Sequence, residues 1–482
     1  MSRRLLRCLT LNSIILFVLL LLFAFLRLYN LEVIRPIDYD EGVYLETAKL
    51  LNQGYELYSE IFCSQPPYFI WMEAFFLRLF GDNLFGGRFG IVLFSICSAV
   101  IVYLISREIS GSMSALLSLA LLTINPVYLV YSRAVMGEIP CVTLGALAVY
   151  LALRFARSGK LRYLLFSGAS FSISMGMKFL CFATIIPILV LSFLIRDSKL
   201  SRFKKIIILM AGLAAPFLPI FFLDLNSVLN QLFFFHMSKP RPDLLTKLAM
   251  LVRYLLRTPM LPILGLIGFV FSIFSKKRIG ITLGLWVASL TVTLILLPQP
   301  IWVHHLAVLM PGLAVLAAPA SEHLWQLCIR FVNDHSRRII GLSLLALLTV
   351  ALLVGGFLEA ERSLAHIVIE EDEKLTDAAE ILKNLTRPSE MIITDNQFLA
   401  FVAGRLVPPE LCDTSWMRIK SGLLTEDKLI SILKNCGAST VIFWTGRLKS
   451  ISGFYEYVLK HYRLLRFYDE NKLIFHGMHG ES

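Results

Sequence analysis

The stretch LNSIILFVLLLLFAFLRLYNLEVIRPIDYDEGVY, residues 11–44, decides the fold of this chain. Its first half, Leu11 to Leu28, is an apolar run long enough to cross a bilayer as a helix of about 20 residues. Its second half places three carboxylates, Asp38, Asp40 and Glu41, close together. No small-residue cleavage pattern follows the apolar run, so we predict a retained membrane helix rather than a signal peptide. The acidic group is therefore expected at a membrane surface.

Composition extends this prediction to the whole chain. Apolar residues make up 57% of the 482 residues and charged residues only 17%, whereas soluble domains average about a quarter charged. Apolar runs recur along the first three quarters of the sequence, which indicates a multi-pass membrane protein. The net charge of +12 is explained by Lys and Arg on cytoplasmic loops. Membrane lipids, and not nucleic acid, are therefore the predicted surroundings.

The apolar runs predict eleven membrane-spanning helices, at residues 10–29, 87–106, 113–131, 139–154, 162–178, 179–195, 206–223, 259–275, 279–297, 302–320 and 339–358. If the N-terminus is cytoplasmic, the basic clusters fall on alternate loops on the inner side. These clusters are SRRLLR, RFARSGKLR, RDSKLSRFKK, SKKR and DHSRR. Their alternation is the positive-inside pattern, and it supports both the count and the orientation.

The outer side then receives polar residues from distant parts of the chain. It holds a long loop at 30–86, a turn at 131–140, a loop at 224–258 and the segment 298–305, and Lys178 ends a span on the same side. Acidic, basic and histidine side chains outside the cytoplasmic loops thus converge on one face. This convergence is the main functional signal in the sequence.

The C-terminal quarter, residues 360–482, differs from the rest. An amphipathic helix at 373–385 is followed by alternating helix and strand patterns, which predict a small α/β domain with a largely parallel sheet. In this interpretation 455–468 is one helix, and a disulfide between Cys412 and Cys436 is left open. The predicted fold class is therefore mostly α: a polytopic membrane helical bundle, residues 1–359, with a C-terminal extracytoplasmic α/β domain.

Each polar group on the outer side has a structural and a chemical interpretation. Asp38, Asp40 and Glu41 precede a helical pattern, so they could cap a helix and interact with its dipole. Alternatively, a carboxylate held near cations at the membrane surface could act as a general base. Arg133 and Glu138 could likewise form a structural pair at the lipid headgroups, or contact a substrate.

Cations near these acids suggest an anionic ligand. Lys178, His304 and His305 lie at the outer ends of predicted spans, and together with Arg133 they could hold a phosphate. The histidines could equally be structural. No GxGxxG or Walker loop indicates a nucleotide donor, and no HExxH-type motif indicates a metal site. No cofactor is predicted, and dependence on a divalent metal is left open.

One long segment resembles a known family. DEGVYLETAKLLNQGYELYSEIFCSQPPYFIWMEAFFLRLFG, residues 40–81, is similar to the first outer loop of the membrane glycosyltransferases with the GT-C fold. The nearest branch is the protein mannosyltransferase and aminoarabinose transferase clan, or glycosyltransferase 39 family. The matching positions are Asp40-Glu41, Tyr44, Ala48, Gly54, Tyr58, Pro66-Pro67 and Phe80-Gly81. GGRFGIVLFS, YSRAVMGEIP and HHLAVLMPGLAVLAAP fit later parts of the pattern, so the resemblance covers about residues 10–320.

The resemblance implies transfer of a sugar from a polyprenyl-phosphate donor to a protein, lipid or glycan acceptor on the outer face, with inversion at the anomeric carbon. It implies that Asp40 is the catalytic base and that Glu41 supports it or binds the acceptor. Arg133, Lys178 and the histidines would stabilise the departing phosphate.

The resemblance also extends the predicted binding residues to Asp38, Tyr44, Tyr58, Gln65 and Glu138. Two of these depart from the pattern. Gln65 stands where the family usually has Lys, so it supplies no charge to a phosphate. Glu138 stands where the family usually has Asp, which keeps the charge on a longer side chain.

Two other classes of function compete with an enzyme. A transporter or flippase would be expected to show repeated halves and polar groups near the bilayer midplane, and neither is evident. An assembly protein with a binding tail would tolerate changes at Asp40, Arg133 and Lys178 alike.

Overall fold

The computed structural model of the chain describes residues 3–194, 201–240, 242–298, 300–333 and 338–477, with side chains from residue 11 onward. Residues 196–200 and 334–337 of the predicted basic clusters lie outside these residues. The first helices are α1 (Arg3–Leu28), α2 (Tyr39–Asn52), α3 (Pro67–Phe80), α4 (Leu84–Ile124), α5 (Pro126–Tyr131), α6 (Glu138–Ser158), α7 (Leu161–Met177), α8 (Ile185–Leu189) and α9 (Arg202–Ala214).

The bundle continues with α10 (Leu225–Leu229), α11 (Phe235–Ser238), α12 (Leu244–Leu255), α13 (Met260–Phe274), α14 (Arg278–Leu296), α15 (Met310–Asn333) and α16 (Arg338–Ala365). Short 3₁₀ or π turns extend several of them, at Phe179–Thr184, Val190–Leu194, Ala215–Phe222, Asn230–Phe234 and Val303–Val308. The chain is therefore mostly helical, as predicted.

Among the described residues, six helices are long and apolar enough to cross a bilayer, or seven if the bent pair α12 and α13 counts as one span. One of the six is α4, whose 41 residues contain the predicted span 87–106 and most of the next one, 113–131. It bends at Gly111, where φ is 80°, a conformation that glycine adopts without steric cost. All eleven predicted segments are largely helical, and their number as membrane crossings remains a prediction.

Four strands form the sheet of the C-terminal part: β1 (Ile393–Thr394), β2 (Thr440–Phe443), β3 (Tyr462–Asp469) and β4 (Lys472–Gly477). Its helices are α17 (Glu373–Leu385), α18 (Gln397–Val402), α19 (Trp416–Lys420), α20 (Glu426–Cys436) and α21 (Ser452–His461), with short 3₁₀ turns at Pro409–Leu411 and Leu448–Ser450. The strand order is β1-β2-β4-β3. Only β1 and β2 are parallel; the other two pairs are antiparallel.

This sheet corrects two predictions. The sheet is mixed rather than largely parallel, and the segment 455–468 is a helix only as far as His461, after which β3 begins. The reason is a tight turn: the Asp469 carboxylate accepts the backbone N–H groups of Asn471 and Lys472. That turn pairs β3 with β4 as a hairpin, and cross-strand pairing outweighs the helical pattern of residues 462–468.

The C-terminal part is joined to the membrane part by packing. Leu375, Leu382 and Phe398 belong to the same buried apolar cluster as the membrane helices, and so do Ile442 and Ile474 of the sheet. The alternate residues of β2 and β4 form a second cluster with α21. The predicted boundary at residue 360 falls inside α16. Cys412 and Cys436 are free thiols, and the Cys412 sulfur lies 2.7 Å from the hydroxyl of Thr47 on α2.

Candidate active site

The first part of the site is the start of α2. Asp38 is the N-cap residue, and its Oδ1 accepts the backbone N–H of Asp40 at 3.3 Å. Both carboxylates therefore lie at the positive end of the helix dipole. Tyr44, one turn further on, donates its hydroxyl to Oδ2 of Asp40 at 3.2 Å, and its ring packs edge-on against Phe69. This fixes the direction of the partly exposed Asp40 carboxylate.

Three other elements bring charged side chains to Asp38. The His304 ring, in the turn Val303–Val308, lies with Nδ1 2.9 Å from Oδ2 of Asp38 and Nε2 3.8 Å from Oε1 of Glu138. Glu138 begins α6, and its Oε1 lies 2.5 Å from the ammonium of Lys178, the residue that caps the end of α7. Four predicted site residues from four parts of the chain thus form one linked cluster.

His305 adds a hydrogen-bond donor beside this cluster. Its ring packs edge-on against that of His304, with centroids 4.4 Å apart, and its Nδ1 accepts the backbone N–H of Trp302 at 3.1 Å. Because Nδ1 is the acceptor, the proton of the neutral ring is on Nε2, which can only donate. His305 is buried, so this donor is held in a fixed direction.

The arrangement favours an anion over a divalent metal. Glu138, His304 and His305 each place a ligand-type atom within 4.8 Å of the others. However, a histidine whose Nε2 carries the proton cannot use that atom as a metal ligand, and the Glu138 carboxylate is already paired with the Lys178 ammonium. These residues therefore do not fit a resident metal ion, and they offer N–H donors instead.

The two carboxylates of α2 differ in their protonation. Burial raises the pKa of Asp40, and the nearby charge of Asp38 raises it further, against smaller opposing effects of His304 and Lys178. Burial acts in the same direction on Asp38, but the hydrogen bond and charge of His304 lower the pKa of that carboxyl below its usual value. Asp38 is thus kept ionised beside His304, and Asp40 is the stronger base of the two.

Comparisons with known proteins agree with this architecture. Residues 64–222 match the family model described as dolichyl-phosphate-mannose-protein mannosyltransferase. The structure of ArnT from Cupriavidus metallidurans superposes with a TM-score of 0.64 at 12% identity, covering 98% of both chains. AglB from Archaeoglobus fulgidus, an archaeal oligosaccharyltransferase, superposes with a TM-score of 0.57 at 11% identity, covering 97% of this chain and 74% of its own.

The chain has the GT-C fold. The predicted resemblance to the mannosyltransferase and aminoarabinose transferase clan is thereby confirmed. A curated but uncharacterised protein of Aquifex aeolicus strain VF5 is 30% identical over 118 residues. That match covers 23% of this chain and 24% of the relative. It is therefore a local similarity.

Glu41 has a different place in this GT-C chain from the one that the resemblance implies. It is fully buried and forms a two-pronged ion pair with Arg88 on α4, with distances of 2.8 and 3.1 Å. Its oxygens also accept the backbone N–H groups of Ile37 and Val135. Arg88 in turn donates to the carbonyls of Leu31, Val33 and Arg35. Glu41 therefore ties the outer loop to α4, and both of its carboxylate oxygens are occupied by these contacts.

Arg133, which was predicted to help bind a phosphate, makes its hydrogen bonds with the backbone after α1. Its guanidinium donates to the carbonyl oxygens of Tyr29 and Asn30, just after the end of α1. Carbonyls at a helix C-terminus lack intrahelical donors, and a cation satisfies them. Arg133 therefore anchors the first membrane helix, and no carboxylate of the described residues lies within 4.0 Å of it.

Tyr58 and Gln65 shape a loop beside the site. The Tyr58 hydroxyl donates to the backbone carbonyl of Gln65 at 2.7 Å, and Tyr58 itself has a positive φ of 73°. Gln231 clamps the same loop, because its amide binds the Tyr58 carbonyl and accepts the N–H of Cys63. Tyr58 thus holds the conformation of this loop, and Gln65 enters these contacts through its backbone carbonyl.

Sequence reasoning missed the part that the C-terminal domain plays. The hydroxyl of Tyr39, which directly precedes Asp40, accepts the backbone N–H of Thr414 at 2.9 Å and lies 3.4 Å from the Asp413 carboxylate. The guanidinium of Arg447 lies 3.6 Å from the centre of the Tyr39 ring. Nothing in the sequence pairs residue 39 with 414, since this contact exists only after the domain packs on α2.

Proposed function

We propose that this chain is a membrane glycosyltransferase that transfers a sugar from a polyprenyl-phosphate donor to an acceptor hydroxyl. The observation that carries the proposal is the gathering of a base and of N–H donors around the linked cluster of Asp38, Glu138 and His304. Asp40 supplies the base, and Lys178 and His305 supply the donors. The site lies where the C-terminal domain contacts α2, and we propose that this face is extracytoplasmic, with the N-terminus in the cytoplasm.

In the proposed reaction, Asp40 takes the proton from the acceptor hydroxyl as its oxygen attacks the anomeric carbon. The bond between that carbon and the phosphate oxygen breaks, and the polyprenyl phosphate leaves with the electron pair. Attack opposite the leaving group inverts the configuration of the sugar. The raised pKa of Asp40 suits this role, because a base is most effective when its pKa approaches the working pH.

The leaving phosphate gains negative charge in the transition state, and preorganised donors lower that barrier. Lys178 has three N–H donors, of which Glu138 uses one, so the others remain for a phosphate. His305 presents its Nε2–H. His304, clamped between Asp38 and Glu138, holds the cluster together and binds no substrate in this scheme.

The similar proteins support the class of donor. ArnT from Cupriavidus metallidurans has also been solved bound to undecaprenyl phosphate, and the AglB structure is a complex with an inhibitory peptide and a dolichol-phosphate. Both lipids are polyprenyl phosphates. We therefore propose this lipid class for the present chain and leave the sugar open among hexoses and pentoses.

The test is the substitution Asp40→Asn in full-length protein reconstituted into liposomes. Transfer from a polyprenyl-phosphate sugar to membrane acceptors would be followed by mass spectrometry. We expect loss of transfer by a factor of about 100 or more, the range of general base catalysis, with the melting temperature kept. The matched control is Asp377→Asn, which changes a partly exposed Asp of the C-terminal domain paired with Arg466. Full transfer by Asp40→Asn would refute the proposal, and solute flux without a glycan product would indicate a transporter.

A further inference from the structure

Lys239, directly after α11, is a cation that no motif singled out. Its ammonium lies 3.1 Å from Nδ1 of His236 and 4.6 Å from the centre of the Phe235 ring. Within the described residues, no carboxylate oxygen lies within 4.0 Å of it. The side chain is only partly exposed. A half-buried ammonium without an ionic partner carries a desolvation cost, which an anionic ligand would offset.

The segment that carries Lys239 packs against the loop that contains Gln65. Nε2 of His236 lies 2.8 Å from the carbonyl oxygen of Ser64, the residue before Gln65. Phe235 packs edge-on against Phe62, with ring centroids 5.4 Å apart. The clamp of Gln231 on the same loop adds two further hydrogen bonds. The segment 230–239 is therefore fastened to the loop at several points.

His236 holds Lys239 in place as a neutral ring. Burial, followed by the charge of Lys239, lowers the pKa of His236 to about 4, so the ring is uncharged at neutral pH. Its Nε2–H then donates to the Ser64 carbonyl, and its Nδ1 accepts from the Lys239 ammonium. This leaves two of the three ammonium donors of Lys239 without a described partner.

The charges around Lys239 link it to the site. Burial lowers the pKa of Lys239, whereas the negative charges of Asp413 and Asp40 raise it, and Lys178 lowers it slightly. Lys239 is thus within electrostatic reach of the base and of the other cation. Gln65, in the loop to which the segment 230–239 is fastened, is neutral and adds no positive charge.

We propose that Lys239 binds the phosphate of the lipid carrier beside Gln65, as a second cation that acts with Lys178. This inference rests on the proposed function, because the phosphate is that of the polyprenyl donor. It assigns to the loop after α11 a direct role in holding the leaving group.

The experiment measures binding of undecaprenyl phosphate to the full chain in nanodiscs, by quenching of tryptophan fluorescence, for the wild type, Lys239→Gln, Lys239→Arg and Lys374→Gln. A charged hydrogen bond lost from a phosphate predicts binding about tenfold to a hundredfold weaker for Lys239→Gln. We expect a small effect for Lys239→Arg. Lys374→Gln, which alters a half-exposed lysine of the C-terminal domain, should bind as the wild type does.

The double variant Gln65→Lys with Lys239→Gln provides the rescue. If Lys239 acts by its charge beside residue 65, the new lysine should restore most of the lost affinity, whereas a merely structural lysine would not be replaced in this way. Unchanged binding by a folded Lys239→Gln, or loss without rescue, would overturn the inference. If Lys239→Gln fails to fold, two other variants test the inference. It would be overturned if folded Lys239→Arg bound undecaprenyl phosphate more weakly than the wild type and Gln65→Lys alone bound it no more tightly.

Failure of this inference can be told apart from failure of the proposed function. If the wild type binds undecaprenyl phosphate and Asp40→Asn loses transfer but keeps binding, the proposed function stands whatever Lys239 does. If the wild type does not bind undecaprenyl phosphate at all, both the proposed donor class and the role of Lys239 are refuted.

Discussion

Neutralising the two adjacent carboxylates of α2, Asp40 and Glu41, should have opposite effects: one loses sugar transfer and the other loses stability. In Glu41→Gln the side chain keeps its size, but the fully buried Arg88 loses its ionic partner. Removal of one member of a buried, hydrogen-bonded ion pair costs about 3–5 kcal/mol, and the new amide would also place a donor against the guanidinium. The variant should therefore unfold far more readily than the wild type.

Asp40→Asn removes much less. Asp40 accepts one side-chain hydrogen bond, from Tyr44, and no cation of the described residues lies within 4.0 Å of it. Its raised pKa also means that the charged form is unfavourable in the folded protein, since burial and the charge of Asp38 oppose it. A neutral side chain there should leave stability within about 1 kcal/mol of the wild type or increase it.

The assay compares thermal unfolding in detergent, followed by tryptophan fluorescence, with sugar transfer per folded molecule. We expect Glu41→Gln to melt at a clearly lower temperature and its folded fraction to retain transfer, and Asp40→Asn to melt normally and transfer nothing. A Glu41→Gln protein that melts with the wild type but has lost transfer would refute this reasoning and make Glu41 a catalytic residue.

Three further predictions concern α2. Burial raises the pKa of Glu46 from its ordinary 4.5 to about 7. The contribution of the protonated Glu46 to the free energy of unfolding is therefore complete below pH 4.5 and is lost as the pH rises to about 7, a loss of about 3 kcal/mol. Glu46→Gln should flatten this pH dependence of stability in unfolding curves measured against pH. Asp38→Asn should move the acidic limb of the pH–rate profile to lower pH, because the charge of Asp38 raises the pKa of Asp40; an unmoved limb would contradict this assignment. Gly42→Ala should weaken the packing of the C-terminal domain and speed its release by limited proteolysis, because the new methyl carbon would lie 2.3 Å from a backbone nitrogen of α18. The control is Gly356→Ala, whose methyl carbon would lie 3.6 Å from its nearest neighbour and should leave the rate of proteolysis unchanged.

Much of this molecule could be predicted from local pattern. Long apolar runs can satisfy their backbone hydrogen-bonding groups in lipid only as helices. The helical bundle could therefore be predicted from the apolar run in residues 11–44 and from the apolar runs that follow it. The short pattern from Asp40 to Gly81 carried the resemblance to the GT-C proteins, and the gathering of Asp38, Glu138, Lys178 and His304 followed from their placement on one predicted face.

The sequence could not predict which of the three acidic residues would be structural and which would be available to a substrate. Asp38, Asp40 and Glu41 are nearly consecutive and carry the same charge, but successive residues of a helix point about 100° apart. Packing then decided that Asp38 meets His304 and that Glu41 is buried against Arg88. Asp40 is left partly exposed, with Tyr44 as its side-chain partner.

Long-range contacts decided the rest. The sequence by itself determined that helices would cross the membrane and that charges would collect on one side, because both depend on the energy of single segments in lipid or water. Only the tertiary structure determined that the segment carrying Lys239 packs on the loop that contains Gln65 and that the C-terminal domain packs on the residue before Asp40. Those contacts join residues more than 100 positions apart, and they arise from shape and burial that no local pattern encodes.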